Sequence, residues 1–185
     1  MPPRIKTVDP HLVFATSLHL VSSTFFISGE VDDKMSDQVA KSLHILDQLD
    51  TEEPVRIYLN TPGGDRTEGL AIYDLIRHAQ RRVRIIGYGQ VSSMGSIILQ
   101  AADQRDLTSN CHVMLHPGWM NNPSEEHEEQ HEAVVKIYRQ ERDRGLKIVA
   151  DRMGISLKEF LRRYRWDTSL SPTEAVKLGL ADRVL

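Results

Sequence analysis

The segment Gly89-Gln90-Val91-Ser92-Ser93-Met94-Gly95-Ser96 lies between two apolar runs. The run before it, Val83-Arg84-Ile85-Ile86-Gly87-Tyr88, reads as a buried strand, and the run after it, Ile97-Ile98-Leu99-Gln100-Ala101-Ala102, as a helix packed on its apolar side. A strand that turns directly into a helix confines the chain to α/β architectures when the step repeats. A serine at such a turn meets exposed backbone N–H groups and the positive end of a helix. That field stabilises negative charge, as an acyl-transfer nucleophile requires. Serines before helices are also ordinary N-caps, so the turn needs its context.

The step does repeat. Thr24-Phe25-Phe26-Ile27-Ser28 reads as a strand ending at Gly29, and Ser36–Leu49 carries Val39, Leu43, Ile45, Leu46 and Leu49 at helical spacing. Val55-Arg56-Ile57-Tyr58-Leu59 is a second strand. It runs into Asn60-Thr61-Pro62-Gly63-Gly64, whose glycines permit positive φ and close backbone approach. A helix with Leu70, Ile72, Tyr73, Leu75 and Ile76 on its buried side follows, then the Val83 strand, the Ser93 helix and a strand over His112–Leu115. Ser124–Met153 is long, charged and helical in character. Ser156-Leu157-Lys158-Glu159 and Ser171-Pro172-Thr173-Glu174 are helix-start signatures, the second with proline at the first helical position. The pattern predicts an α/β fold with mostly parallel strands, organised as an N-terminal arm over residues 1–21 and a single domain over 22–185.

Composition narrows the function. A chain of 185 residues supports one domain with a sizeable core. Its net charge is −3 and its 23 basic residues are dispersed, which gives no nucleic-acid face. One cysteine, Cys111, excludes an internal disulfide framework and fits a reducing compartment. No apolar segment reaches bilayer length and the N-terminus lacks a secretory core, so the reading is a cytoplasmic protein with no membrane partner.

A serine nucleophile needs a base, a group that orients the base, and donors for the developing oxyanion. His116 ends a short apolar strand beside Pro117-Gly118, held yet able to exchange protons. Asp167 precedes a capped helix, and the backbone N–H groups of Gly64 and Met94 are candidate oxyanion donors. Taken singly, each has an ordinary structural reading. Taken together, Asn60–Gly64, Gln90–Ser96, Asn110–His116 and Leu170–Asp182 agree in order and spacing with the proteolytic subunit of the Clp protease, which the chain resembles from about Ser22 to Leu185. The resemblance implies a crotonase-like spiral of strand–strand–helix units with a long protruding handle helix over about 124–153. It implies a serine endopeptidase with Ser93 as nucleophile, His116 as base, Asp167 as the orienting group, Gly64 and Met94 as the oxyanion hole, and no cofactor. The mechanism implied is hydrolysis of peptides or unfolded proteins through an acyl-enzyme inside an oligomeric chamber. The partners implied are copies of the chain in a homo-oligomeric ring, heptameric by resemblance and single or stacked, and a Clp ATPase unfoldase.

The chain also departs from the family pattern. The positions that align with the family's unfoldase-docking pocket are Arg56, Tyr58, His78, Ile86, Tyr88 and Thr108, of which Arg56, His78 and Thr108 are markedly polar. Pro117–Pro123 lacks the usual glycine pair of the substrate-pairing strand, and Arg165-Trp166 replaces the residues that couple stacked rings. A competing motif, His127-Glu128-Glu129-Gln130-His131, fits the H-E-x-x-H pattern of zinc peptidases. Its flanks are charged, and they offer neither the shelter nor the third ligand that such a site needs, so no metal is expected. A catalytically silent ring subunit of the same family is the main alternative. An acyl-CoA hydratase on the same spiral is disfavoured, because it has no use for an activated serine.

Overall fold

The computed structural model describes residues 18–118 and 128–185. Positions 1–17, most of the expected arm, lie outside the described residues, as do the end of the segment after His116 and His127. Leu18 is buried in the core and His19 bridges Thr24, so the packed chain begins ahead of the first strand.

Strands β1 (Thr24–Ser28), β2 (Val55–Thr61), β3 (Val83–Ser92), β4 (Gln104–Leu107) and β7 (Arg183–Val184) run parallel in the order β1-β2-β3-β4-β7. The mostly parallel α/β sheet expected from the sequence is present. In β2 every second residue is buried, from Val55 to Thr61, as a strand between two neighbours with one face on the core requires. The ten residues of β3 serve two partners: Arg84–Gly87 pair with β4, and Gln90–Ser92 pair with β5 (His112–Leu115). Between those stretches the register against β2 shifts, and the Asn60 side chain accepts a hydrogen bond from the Gln90 amide at 3.0 Å. This change of partner branches the sheet at β3, where β6 (Thr168–Leu170) pairs antiparallel with β5.

Helices α1 (Asp33–Leu46), α2 (Arg66–Arg77) and α3 (Met94–Leu99) follow β1, β2 and β3 in turn. α1 starts ahead of its apolar spacing because the Asp32 side chain caps it through the Met35 amide. α4 (Glu128–Arg152) is the long charged helix, at 25 residues, and α5 (Leu157–Arg163) and α6 (Pro172–Lys177) begin at the two serine caps read from the sequence. The Ser171–Glu174 capping box is complete, with each side chain bonded to the other's backbone. α3 lies close to β2 because residue 95 has no side chain: a Cβ there would sit 2.5 Å from Thr61 Cγ2.

The short strands escape sequence reading because they are polar and three-dimensionally paired. In β4, Arg105 is 7 % exposed and Asp106 is fully buried. Arg105 donates through Nη2 and Nε to Asp182 and through Nη1 to Gln100 Oε1 and the Gly179 carbonyl. Asp106 takes Arg84 and Arg183. Neither residue advertises a core strand, yet each is satisfied there by partners far away in sequence. No helix among the described residues is long and apolar enough to cross a membrane.

Candidate active site

Ser93 is the single residue between β3 and α3, with φ 54° and ψ −117°. A side-chain-bearing residue adopts that conformation at a cost on the order of 1–3 kcal/mol, so the surroundings must enforce it. They do so from both sides. The Ser93 amide donates to the Met114 carbonyl at 2.9 Å, and its carbonyl accepts from the Ser96 amide at 3.0 Å and the Ser96 hydroxyl at 2.6 Å. The turn projects the hydroxyl into a cleft instead of capping the helix: the Ser93 side chain makes no cap hydrogen bond.

Strand register then supplies the partners. Ser92 lies beside Met114 in the parallel β3–β5 pair, so the chain beyond β5 emerges next to Ser93. His116 Nε2 is 2.6 Å from Ser93 Oγ. In the antiparallel β5–β6 pair Leu115 opposes Thr168, so the residues just outside that pair are His116 and Asp167. A His112–Ser169 hydrogen bond of 3.1 Å reinforces this pairing. Asp167 is exposed and acts on His116 through its charge. The His116 Nδ1 atom instead accepts the Gly118 amide, at 3.2 Å. By this hydrogen-bond pattern the neutral ring carries its proton on Nε2 and donates it to Ser93 Oγ.

The electrostatics oppose one another. Burial pushes the His116 pKa down, the Asp167 carboxylate pulls it up, and the Arg66 guanidinium pushes it down again, for a net value below ordinary imidazole. The histidine is therefore held neutral at physiological pH, the state a general base needs.

The loop after β2 closes the other wall. Gly63 and Gly64 have φ of 101° and 151°, open to glycine and strained for any other residue. A Cβ on Gly63 would lie 2.6 Å from Ser93 Cβ and 3.1 Å from the Met94 amide nitrogen, so this loop rests directly on the Ser93–Met94 turn. Val31 holds the loop from behind, donating to Gly63 O and accepting from the Asp65 amide. That leaves the Gly64 amide without an acceptor among the described residues. The Met94 amide opens α3, where helical N–H groups have no partner within the helix. Ser93, His116, Gly64 and Met94 thus line one cleft of about 130 Å³, whose far wall is the Arg142, Gly145, Leu146 and Val149 face of α4.

Sequence reading missed two contributors. Arg66 lines the cleft as the first residue of α2, and the Gly118 amide holds His116 Nδ1. Arg66 is open to notice as a charge two residues beyond the candidate donor Gly64. The Gly118 contact has no signal in sequence. Cys111 is buried with its thiol pushed up to about 11 by that burial, in keeping with the packing role read for it. Among the described residues no group of three or more metal-ligating side chains occurs. His127 and the side chain of His131 lie outside them.

A strained serine at the carboxyl edge of a parallel sheet, hydrogen-bonded to a half-buried neutral histidine, is the arrangement that a serine hydrolase uses. The profile of the Clp protease family matches residues 12–185, and the chain belongs to that family. It is 32 % identical over 164 residues to the ATP-dependent Clp protease proteolytic subunit of Deinococcus radiodurans, covering 86 % of this chain and 78 % of that protein. It is 29 % identical over 164 residues to the ATP-dependent Clp protease proteolytic subunit 1 of Borreliella burgdorferi, covering 86 % and 82 %. Its fold matches a point mutant of ClpP1 from Listeria monocytogenes with a TM-score of 0.78 at 26 % identity, covering 89 % of this chain and 91 % of the other. The fold is the crotonase-like one the sequence implied, and the protein is a serine endopeptidase by family. Proteins of the family form oligomeric rings that work with Clp ATPases.

Proposed function

We propose that the chain is the proteolytic subunit of an ATP-dependent Clp-type peptidase, cutting peptide bonds with Ser93 as nucleophile, His116 as base and Asp167 as the group that orients it. The observation that carries this reading is the 2.6 Å contact between Ser93 Oγ and His116 Nε2 at a strained turn. For Nε2 to accept the hydroxyl proton, Nδ1 must carry the ring's own proton. The Gly118 amide has then to leave Nδ1 and the Asp167 carboxylate take its place as acceptor. Ser93 Oγ next attacks the substrate carbonyl while His116 takes its proton. The amides of Gly64 and Met94 hold the oxyanion, and His116 returns the proton to the leaving amine. Water, activated by the same histidine, hydrolyses the acyl-enzyme. The loss of one oxyanion donor costs about 10²–10³ in rate.

The family's ring assembly supports reading an enclosed chamber here. We read α4 as the handle helix: Val134 and Ile137 are exposed and apolar on it, suited to contact another copy. We read the assembly as a homo-oligomeric ring, heptameric by resemblance, that admits unfolded chains delivered by an unfoldase.

The test is fluorophosphonate labelling with the modified residue located by mass spectrometry. Label on Ser93, abolished in Ser93→Ala together with peptide hydrolysis and kept in Ser92→Ala, is the expected result. Label that persists in Ser93→Ala, or that resides on Ser92, would defeat the proposal. A chain that folds and assembles but takes no label and cuts no peptide would be the silent ring subunit instead.

A further inference from the structure

Arg66 is the unusual wall of the cleft. Its side chain is 23 % exposed and its guanidinium carbon stands 4.4 Å over the Tyr138 ring. Its nearest carboxylate is Glu141, at 4.0 Å, a separation at which the pair attracts without a hydrogen bond. Among the described residues none of its five N–H donors is given to an acceptor. The other arginine of the cleft, Arg142, is already engaged, donating to Asp143 Oδ1 from Nε at 2.8 Å and Nη2 at 2.7 Å.

A second unused donor lies beside Arg66. The Tyr138 hydroxyl is buried and has no hydrogen-bond partner among the described residues. Both groups converge on the backbone that follows His116: a Cβ on Gly118 would be 3.2 Å from Tyr138 Oη and 3.4 Å from Arg66 Nη2. A cation and a phenol, both without acceptors, therefore face the residue whose amide touches the catalytic histidine. Buried donors are ordinarily paired, and a planar guanidinium beside a hydroxyl suits the two oxygens of a carboxylate. With Arg66 in the cleft lining, Met94, Ile97, Leu146 and Phe160 make the rest of it apolar. Its volume of about 130 Å³ is that of roughly four waters, room for one side chain.

We infer that Arg66, held against the Tyr138 ring, is a specificity-determining residue that selects a substrate with glutamate immediately before the scissile bond. The glutamate methylenes lie on the apolar wall and the carboxylate takes the free Arg66 donors. This rests on the serine-peptidase reading above. It is a preference that an all-apolar cleft would invert, because an acidic side chain would then be desolvated without a partner.

The experiment measures kcat/KM on three fluorogenic peptides identical except for glutamate, glutamine or leucine before the cleaved bond. Glutamate and glutamine match in size and differ in charge, so their ratio within one enzyme cancels changes in folding, assembly or the basicity of His116. The wild-type protein should favour glutamate over glutamine by about tenfold to a hundredfold, the range of a charge-assisted hydrogen bond. Arg66→Leu should bring that ratio to one or below. Arg66→Lys should retain part of it. A wild-type ratio near one, or a ratio that survives Arg66→Leu, overturns the inference; if the leucine peptide is still cut and Ser93 still labelled, the peptidase reading stands without it. If no peptide is cut and Ser93 takes no label, the peptidase reading fails and this inference falls with it.

Discussion

Two glycines near Ser93 should respond very differently to the same added methyl group. At Gly63 the backbone φ is 101°, and a Cβ would lie 2.6 Å from Ser93 Cβ, 3.0 Å from the Ser92 carbonyl oxygen and 3.1 Å from the Met94 nitrogen. None of these atoms can retreat cheaply. Two are backbone, and the third belongs to a serine whose amide and carbonyl are both tied down. Positive φ costs an L-residue roughly 1–2 kcal/mol and overpacking a further ~1–3 kcal/mol, so Gly63→Ala should destabilise by about 2–5 kcal/mol. At Gly69, in the first part of α2, the nearest atom is the terminal Cε of Met94 at 2.3 Å. That methyl group can swing aside for about 0.5–1.5 kcal/mol, against a helix-propensity gain near 0.5–1 kcal/mol, so Gly69→Ala should stay within about 1 kcal/mol of wild type. Urea unfolding at one fixed protein concentration measures both, and the rate of fluorophosphonate labelling reports the site. Gly63→Ala should label at least roughly tenfold more slowly, because the methyl group displaces the turn that carries Ser93 and the Met94 donor. A Gly63→Ala protein as stable as Gly69→Ala, and labelled as fast as wild type, would refute the claim that this loop rests on Ser93.

The acid limb of kcat/KM should fall below the ordinary imidazole value of about 6.5, because burial outweighs Asp167 in holding His116 neutral. Arg66→Leu removes a charge that lowers the His116 pKa and should move this limb upward; Asp167→Asn removes one that raises it and should move the limb downward in whatever activity remains. At the far side of the sheet, Arg105→Met would leave Gln100 Oε1 and the Gly179 carbonyl without their donor and Asp182 without its cation. With Asp182 39 % exposed, water relieves part of that loss, and about 2–4 kcal/mol of destabilisation in urea is expected.

The elements with strong apolar periodicity are legible without coordinates. β1 and β5 fall where the apolar runs place them, and α5 and α6 start at the serines their caps predict. β4, β6 and β7 are not legible, since their residues are short polar runs whose burial is settled by partners elsewhere in the chain. β3 outruns its apolar stretch for a related reason. Its second half, through Gly89 and Gln90, is a strand only because β5 lies alongside it. Within the cleft, Ser93 and His116 come together as the sequence suggested. Asp167 arrives beside the histidine by register without a hydrogen bond to it, and the Gly118 amide occupies the place its carboxylate would need. That competition is settled by small shifts in a backbone turn, and no residue type announces it. Arg66 is visible as a letter, but its lack of an acceptor emerges only when Tyr138 and Glu141 of α4 are brought beside it.

The β3–β5–β6 ladder has a consequence for how such a site tolerates change. Ser93 and His116 are 23 residues apart along the chain, but one rung apart across the ladder. The connecting segments can therefore lengthen or shorten at little cost to the chemistry, since loop closure grows only slowly with length. A slip of a single rung in either pairing does the reverse: it carries a residue about 3.3 Å along its neighbour and turns its side chain to the opposite face. Distance in the sequence is thus a loose coordinate for this cleft and register a strict one, so a single inserted residue inside β5 or β6 would be more damaging than many inserted between them.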